Sequence, residues 1–191
     1  VCHCSKSCVL NESAMRGCLC FVVCAVTSVA AAEEPKFVNP LVAEYGAIAP
    51  QPDAAEQPRK GMKIVFDITS EAKPEEVLKG LESAARYLNL NAQAGRAPGD
   101  VRLALVLHGT ATKGALNDSA YASKTGAVKN PNLALVRELK KHGVEVFVCG
   151  QSLARNKFAL SEVAAEFTVA ASAMTVNANK QQDGYAYISV H

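Results

Sequence analysis

The chain has 191 residues, of which 49% are hydrophobic, so it is long enough for one domain with a sizeable core and an extension. Its formal net charge of +2 gives no electrostatic basis for binding nucleic acid or an anionic membrane. It has no Trp and only 6% aromatic residues, which argues against a surface on which unpaired bases stack.

The first recognisable segment is a predicted export signal at residues 15–32. A short positive start at Met15 and Arg16 precedes an apolar stretch at 17–30, and small residues follow up to Ala32. This is the layout of a secretory signal, and the apolar stretch is shorter than the roughly 20 residues that span a bilayer. We therefore expect cleavage after Ala32, a periplasmic or secreted protein, and no stable membrane anchor after cleavage.

Residues 1–14 precede this signal and begin with Val, so we interpret them as an over-extended N-terminus ahead of a true start at Met15. The alternative is a metal site with four candidate ligands: Cys2, His3, Cys4 and Cys8. Their spacing fits no common zinc motif. The sequence therefore predicts no metal site, and nothing in it indicates a cofactor.

Residues 33–60 contain five prolines and are predicted to form an extended arm with little regular structure. The arm also carries apolar residues, which predict that it packs on the domain or on a neighbouring subunit: Phe37, Val38, Leu41, Val42 and Tyr45.

Residues 61–191 alternate between strand and helix patterns, which indicates one α/β domain. Strands are predicted at 62–68, 101–107, 144–148, 167–169 and 185–190. Helices are predicted at 74–94, 116–123, 130–142, 152–158 and 172–182, with a further one at 161–166. Repeated strand–helix units with apolar strands predict a single-domain parallel sheet of about five strands with helices on both faces.

Polar or reactive residues follow the first three predicted strands, where ligands of parallel sheets gather. They are Thr69 and Ser70, His108 and Gly109, and Cys149 and Gly150. We therefore expect a site at this edge of the sheet.

Cys149 is the strongest candidate for chemistry, because it stands between a strand and a new helix. The free N–H groups at a helix N-terminus favour negative charge and lower the pKa of a thiol. The other six cysteines lie within the first 24 residues, so cleavage after Ala32 leaves Cys149 as the only thiol and excludes a disulfide within one chain. The alternative is an inert thiol, since free Cys is among the most buried residue types.

Three neighbours complete this predicted site. Arg155 adds positive charge near the thiol, and Gly150 lets a reactant approach the sulfur. His108 is a candidate base toward Cys149 or donor to an anion, and the alternative is a hydrogen-bonded histidine at a sheet edge. A Cys–His protease dyad is disfavoured, because the sequence shows no Asn or Asp to orient the histidine.

The segment 109–114 has the glycines of a phosphate loop but lacks the Lys-Ser/Thr pair after the second glycine, which excludes a nucleotide phosphate loop. We expect instead a mobile lid over Cys149, with Gly109 and Lys113 among the substrate-binding residues. Asp67, near the end of the first strand, needs a partner if buried, and backbone N–H groups or Lys113 are the expected partners.

The segment VFVCGQSLAR, residues 146–155, resembles the cysteine turn of the DsrE/DsrF-like sulfur-relay family. The surrounding order is also similar to this family, through the segments KIVFDIT, GLESAARYLNL, LVLHGTAT and SAMTVNANKQQDGYAYI. The resemblance covers residues 60–190 and points to the exported, mostly uncharacterised branch of the family, which shares the Pro-rich arm.

The resemblance implies a five-stranded parallel sheet with flanking helices and a homo-oligomer, a trimer or a hexamer. In the sulfur-relay members, the cysteine that matches Cys149 carries a persulfide. The implied function is binding or relay of sulfane sulfur through Cys149, as a sulfurtransferase or carrier that meets a sulfur donor or acceptor protein. The alternative is a non-catalytic protein, for small-ligand binding or oligomeric assembly, in which Cys149 is structural.

Overall fold

The computed structural model describes residues 34–191. The interpretations of residues 1–14 as an over-extended N-terminus, of 15–32 as a signal, and of 2–8 as an alternative metal site all lie outside the described residues. Within residues 34–191, no helix is both long enough and apolar enough to cross a membrane.

The domain is built on a five-stranded sheet in which every neighbouring pair of strands is parallel. The strands are β1 (Met62–Ile68), β2 (Val101–Leu107), β3 (Glu145–Cys149), β4 (Thr168–Ala170) and β5 (Ala186–Val190). Their order across the sheet is β4-β3-β2-β1-β5. The predicted α/β class and strand count are therefore confirmed.

Five α-helices connect the strands of the described chain: α1 (Lys79–Gln93), α2 (Asp118–Thr125), α3 (Asn132–Lys141), α4 (Gly150–Arg155) and α5 (Ala173–Gln182). Short 3-10 helices cover Pro98–Asp100, Gly109–Ala115 and Leu160–Glu162. The chain steps from β1 to β4 across the sheet, and α5 then returns it to the far side of β1.

Both faces of the sheet are buried. Alternate side chains of each strand point to opposite sides of the sheet and enter different apolar clusters. Leu103, Leu105 and Leu107 of β2 join a large apolar cluster that includes residues of α1 and α3. Ala104 and Val106 belong to a smaller cluster that includes residues of α5. Cys149 belongs to this smaller cluster, so its side chain lies on the α5 face.

Helix α1 begins five residues later than the helix predicted at 74–94, at Lys79. Leu78 has an extended backbone (φ −59°, ψ 130°), and its N–H donates to Oδ1 of the buried Asn132 at 2.8 Å. This long-range contact takes the N–H out of the helical pattern. The helix predicted at 161–166 is also wrong, since a single 3-10 turn covers Leu160–Glu162.

The segment expected to form a mobile lid is instead a packed 3-10 helix, Gly109–Ala115. Ala111, Thr112 and Ala115 within it are fully buried. A segment that contributes such residues to the core cannot open without exposing them, so the lid expectation is corrected.

The Pro-rich arm packs against helix α1 of its own domain. Asn89 of α1 is fully buried and its Oδ1 accepts from the N–H groups of Leu41 and Val42, at 2.9 and 2.8 Å. Its Nδ2 donates to the carbonyls of Tyr45 and Gly46, at 2.9 and 3.0 Å. One side chain thus satisfies four backbone groups of the arm.

Candidate functional site

An open cavity of about 570 Å³ lies at the carboxyl edge of the sheet, between the strand ends and helix α5. Its lining includes Asp67, His108, Cys149, Ser152, Arg155 and Asn177. These come from the ends of β1, β2 and β3 and from helices α4 and α5. The sheet edge predicted to carry the site is therefore the edge at which the cavity lies.

The alternation of the strands explains why Asp67, His108 and Cys149 meet. Asp67 shares the face of Val65, and His108 continues the face of Val106, both of which belong to the α5-side cluster together with Cys149. All three residues lie at the ends of neighbouring strands, so they converge on one cavity.

Cys149 ends β3 and caps the N-terminus of α4, and its residue surface is only 4% exposed. Burial raises the pKa of the thiol. Hydrogen bonds from the Ser152 hydroxyl and from the backbone N–H groups of Ser152, Ala173 and Gln151 lower it, and the balance leaves the pKa of Cys149 below its ordinary value. Two helix starts, those of α4 and α5, supply these backbone donors.

Ser152 connects the thiol to the end of β2. Its Oγ accepts from the Gly109 N–H at 3.2 Å, and its own N–H donates to Sγ at 3.4 Å. Its hydroxyl also acts to lower the pKa of Cys149. The sequence prediction did not include Ser152. Its spacing from Cys149 could have identified Ser152, because the third residue of a helix often hydrogen-bonds back to the capping residue.

Asp67 is 6% exposed and has two close partners. Its Oδ2 accepts from the Tyr187 hydroxyl at 2.7 Å, and this hydrogen bond raises the pKa of Tyr187. Its Oδ1 lies 2.8 Å from His108 Nε2, although the ring N–H is not aimed well enough at the oxygen to make a hydrogen bond. Of the two kinds of partner expected for Asp67, backbone N–H groups or Lys113, Lys113 pairs instead with Glu71. Asp67 also stands where an orienting residue for His108 would stand, which the sequence prediction did not identify.

The remaining predicted site residues are divided between two places. Arg155 lines the cavity beside Cys149, and Gly109 contributes its N–H to Ser152. Lys113 lies in a different cavity of about 490 Å³ and pairs with Glu71. Gly150 starts α4 so close to β4 that a Cβ there would lie 2.9 Å from the Ala170 carbonyl oxygen.

This arrangement supplies a nucleophile, a histidine next to a buried carboxylate, and a cavity that admits a small molecule. Within residues 34–191, no group of three or more His, Cys, Asp or Glu residues is arranged to hold a metal ion.

Comparison with known proteins identifies the family. No protein with a curated description matches the chain. The solved structure of MTH1491, a protein of unknown function from Methanobacterium thermoautotrophicum, is similar with a TM-score of 0.49 at 20% identity, covering 68% of this chain and 99% of that chain. The model of the DsrE/DsrF-like family matches residues 62–190, which include all five strands and every residue that lines the Cys149 cavity. The chain therefore belongs to the DsrE/DsrF-like family, which is associated with sulfur relay.

Proposed function

We propose that the chain binds and relays sulfane sulfur as a persulfide on Cys149. The observation that carries this proposal is the hydrogen bonding of Sγ. Burial opposes ionisation, yet the donors from Ser152, Ala173 and Gln151 hold the pKa of Cys149 below its ordinary value. A lowered pKa leaves more thiolate at neutral pH, and the thiolate is the form that attacks a sulfane sulfur.

The loading step needs no redox partner. The Cys149 thiolate attacks the terminal sulfur of a donor R–S–SH, a bond forms between Sγ and that sulfur, and the S–S bond of the donor breaks. The donor leaves as RS⁻, and Cys149 carries –S–SH. An acceptor thiolate takes the sulfur away by the same displacement in reverse.

The cavity favours this function over a purely structural cysteine. A structural cysteine is packed on all sides, whereas Cys149 lines an open cavity of about 570 Å³ that also contains His108 and Arg155. The competing hypothesis, a binding or assembly protein with an inert Cys149, predicts a thiol that small reagents do not modify.

Loading is measurable on a single tryptic peptide. Cleavage after Lys141 and Arg155 releases peptide 142–155, which contains Cys149 and no other cysteine, so the six N-terminal cysteines do not interfere. The full chain is incubated with polysulfide or thiosulfate, alkylated, digested and analysed by mass spectrometry. We expect the peptide to gain one sulfur atom.

The matched control is Cys149→Ser, whose peptide must gain nothing. An unloaded Cys149 with every donor, under conditions in which the N-terminal cysteines are modified, would contradict the proposal. A Cys149 that iodoacetamide also fails to alkylate in the folded chain would favour the structural hypothesis.

We further propose that the chain is exported after cleavage at Ala32 and assembles into a trimer or a hexamer that exchanges sulfur with a donor or acceptor protein. The signal pattern of residues 15–32 and the family resemblance support these proposals. N-terminal sequencing of the periplasmic or secreted protein tests the cleavage, and native mass spectrometry tests the subunit number. An N-terminus at Met15, or a monomer at micromolar concentration, would contradict them.

A further inference from the structure

Unpartnered buried polar atoms cluster at the Cys149 cavity. Within residues 34–191, five buried side-chain polar atoms have no hydrogen-bond partner: Asp67 Oδ1, Asn91 Oδ1, His108 Nε2, His142 Nε2 and Asn177 Oδ1. Three of the five belong to residues that line this cavity, Asp67, His108 and Asn177. Two of these atoms, Asp67 Oδ1 and His108 Nε2, lie 2.8 Å from each other but are not aligned for a hydrogen bond. A buried polar pair that is close and yet misaligned calls for a functional explanation.

Asp67 is fixed from the side away from the cavity. The Tyr187 hydroxyl holds Oδ2 at 2.7 Å, which leaves Oδ1 beside His108 Nε2 at 2.8 Å. Tyr187 reaches Asp67 because β5 pairs with β1 on the side opposite β2. The carboxylate is thus held between an edge strand and the histidine, and only the histidine contact lacks hydrogen-bond alignment.

The cavity contains one side chain of the kind that most often acts as a proton donor. Its charged or titratable lining residues are Asp67, His108, Cys149 and Arg155, while helix α5 contributes none. An arginine does not release its proton, and Cys149 is the nucleophile of the proposed reaction. Histidine is the commonest general acid of proteins, which makes His108 the group that can supply a proton to a bound molecule.

We propose that Asp67 is a positioning residue that holds His108 as the proton donor to the thiolate released when Cys149 takes a sulfur atom. This inference rests on the proposed sulfur-relay function. As the donor S–S bond breaks, the electron pair stays on the leaving RS⁻. The proton of the His108 imidazolium passes to it, giving RSH and neutral His108. The negative charge of Asp67 stabilises the imidazolium before transfer, and hydrogen bonds of this kind often align only when the substrate binds.

The test compares two donors whose leaving groups differ in basicity. Cysteine hydropersulfide releases an alkyl thiolate, which gains from protonation, whereas thiosulfate releases sulfite, a weaker base that leaves without it. We expect Asp67→Asn to slow the loading of Cys149 from cysteine hydropersulfide by about tenfold or more, a part of the roughly 100-fold that proton donation contributes. Loading from thiosulfate and alkylation by iodoacetamide should change by less than about twofold.

Two further variants separate this role from a general loss of structure. Tyr187→Phe keeps the carboxylate and removes its second partner, so a smaller loss confined to the hydropersulfide is expected. His108→Gln should reproduce the Asp67→Asn pattern. The matched controls are Asp53→Asn, at an exposed position, and His142→Gln, whose buried Nε2 also lies near a carboxylate, 3.6 Å from Glu138 Oε1, but outside the cavity.

The outcomes separate the role of Asp67 from sulfur loading itself. Equal slowing with both donors, or no slowing with either, overturns the role of Asp67 while sulfur loading itself stands. Failure of the unmodified chain to load from both donors overturns the proposed function, and the role of Asp67 falls with it.

Discussion

At Cys149, burial and hydrogen bonding act on the sulfur in opposite directions, and the hydrogen bonds prevail. Burial disfavours the thiolate, whereas the Ser152 hydroxyl and three backbone N–H groups stabilise it, so the pKa of Cys149 is lowered. This lowered pKa makes the stability of the fold depend on pH. Ionisation of Cys149 stabilises the fold above the ordinary thiol pKa, and this contribution is lost as the pH falls through the lowered pKa of the folded state.

The largest single donor to this thiol is the Ser152 hydroxyl, which Ser152→Ala removes. We expect the pKa of Cys149 to rise in the variant, so the pH profile of alkylation by iodoacetamide moves to higher pH. At pH 7 the rate should fall about tenfold or more, because a hydrogen bond to a charged group contributes roughly 1.5–3 kcal/mol and each 1.4 kcal/mol is about a factor of ten. The rate is followed on peptide 142–155, with Ser161→Ala, at an exposed position, as the control. Profiles that coincide would show that the hydroxyl does not stabilise the thiolate.

At the scale of elements, the turn from β3 into α4 sets the position of Sγ against the end of β4. Gly150 occupies this turn, and a Cβ there would lie 2.9 Å from the backbone carbonyl oxygen of Ala170. A backbone oxygen cannot rotate away as a side chain does, so a larger residue has to move α4 or β4. The glycine expected to admit a reactant is therefore required first by packing.

This contact predicts that Gly150→Ala destabilises the fold by about 1–3 kcal/mol, the usual cost of forcing an extra methyl group into a packed site. Gly99→Ala is the control, because a Cβ there meets nothing within 4 Å. Urea unfolding measures both free energies. An unchanged free energy of unfolding for Gly150→Ala would mean that α4 and β4 move apart at no cost in stability. We also expect slower alkylation of Cys149, since two of its three backbone donors, Gln151 and Ser152, belong to α4.

Elements defined by local pattern were predictable from the sequence, and those defined by distant contacts were not. The bounds predicted for β1 and β2 are confirmed, because both are mostly apolar runs of strand-forming residues. The start of α1 was missed, since the N–H of Leu78 is taken by Asn132, 54 positions away. The partners of Asp67 were missed for the same reason. Tyr187 lies 120 positions away and reaches Asp67 only because β5 pairs with β1.

At the scale of the whole molecule, the return of the chain by α5 creates the site. Strands β1 to β4 are parallel to one another, so their carboxyl ends form one edge. Helix α5 then crosses the opposite face from α1, and its first residue, Ala173, donates its N–H to Cys149. The helix that leads the chain to its last strand therefore also supplies a backbone donor that lowers the pKa of Cys149.

The Pro-rich arm and the domain form one folding unit through Asn89, whose side chain serves four backbone groups of the arm. Asn89→Ala leaves those groups buried without partners, so we expect a loss of about 3 kcal/mol or more in the free energy of unfolding, at roughly 1–3 kcal/mol for each unsatisfied group that water does not reach. Asn179→Ala, at an exposed position of α5, controls for the change of residue type. Urea unfolding gives the free energies, and limited proteolysis reports whether the arm is released. If the arm is cleaved while the unfolding midpoint stays unchanged, the arm docks on a domain that is stable without it. A single transition at lower urea shows that arm and domain unfold together. This is the expected result, because Asn89 belongs to α1 and the backbone groups that it satisfies belong to the arm.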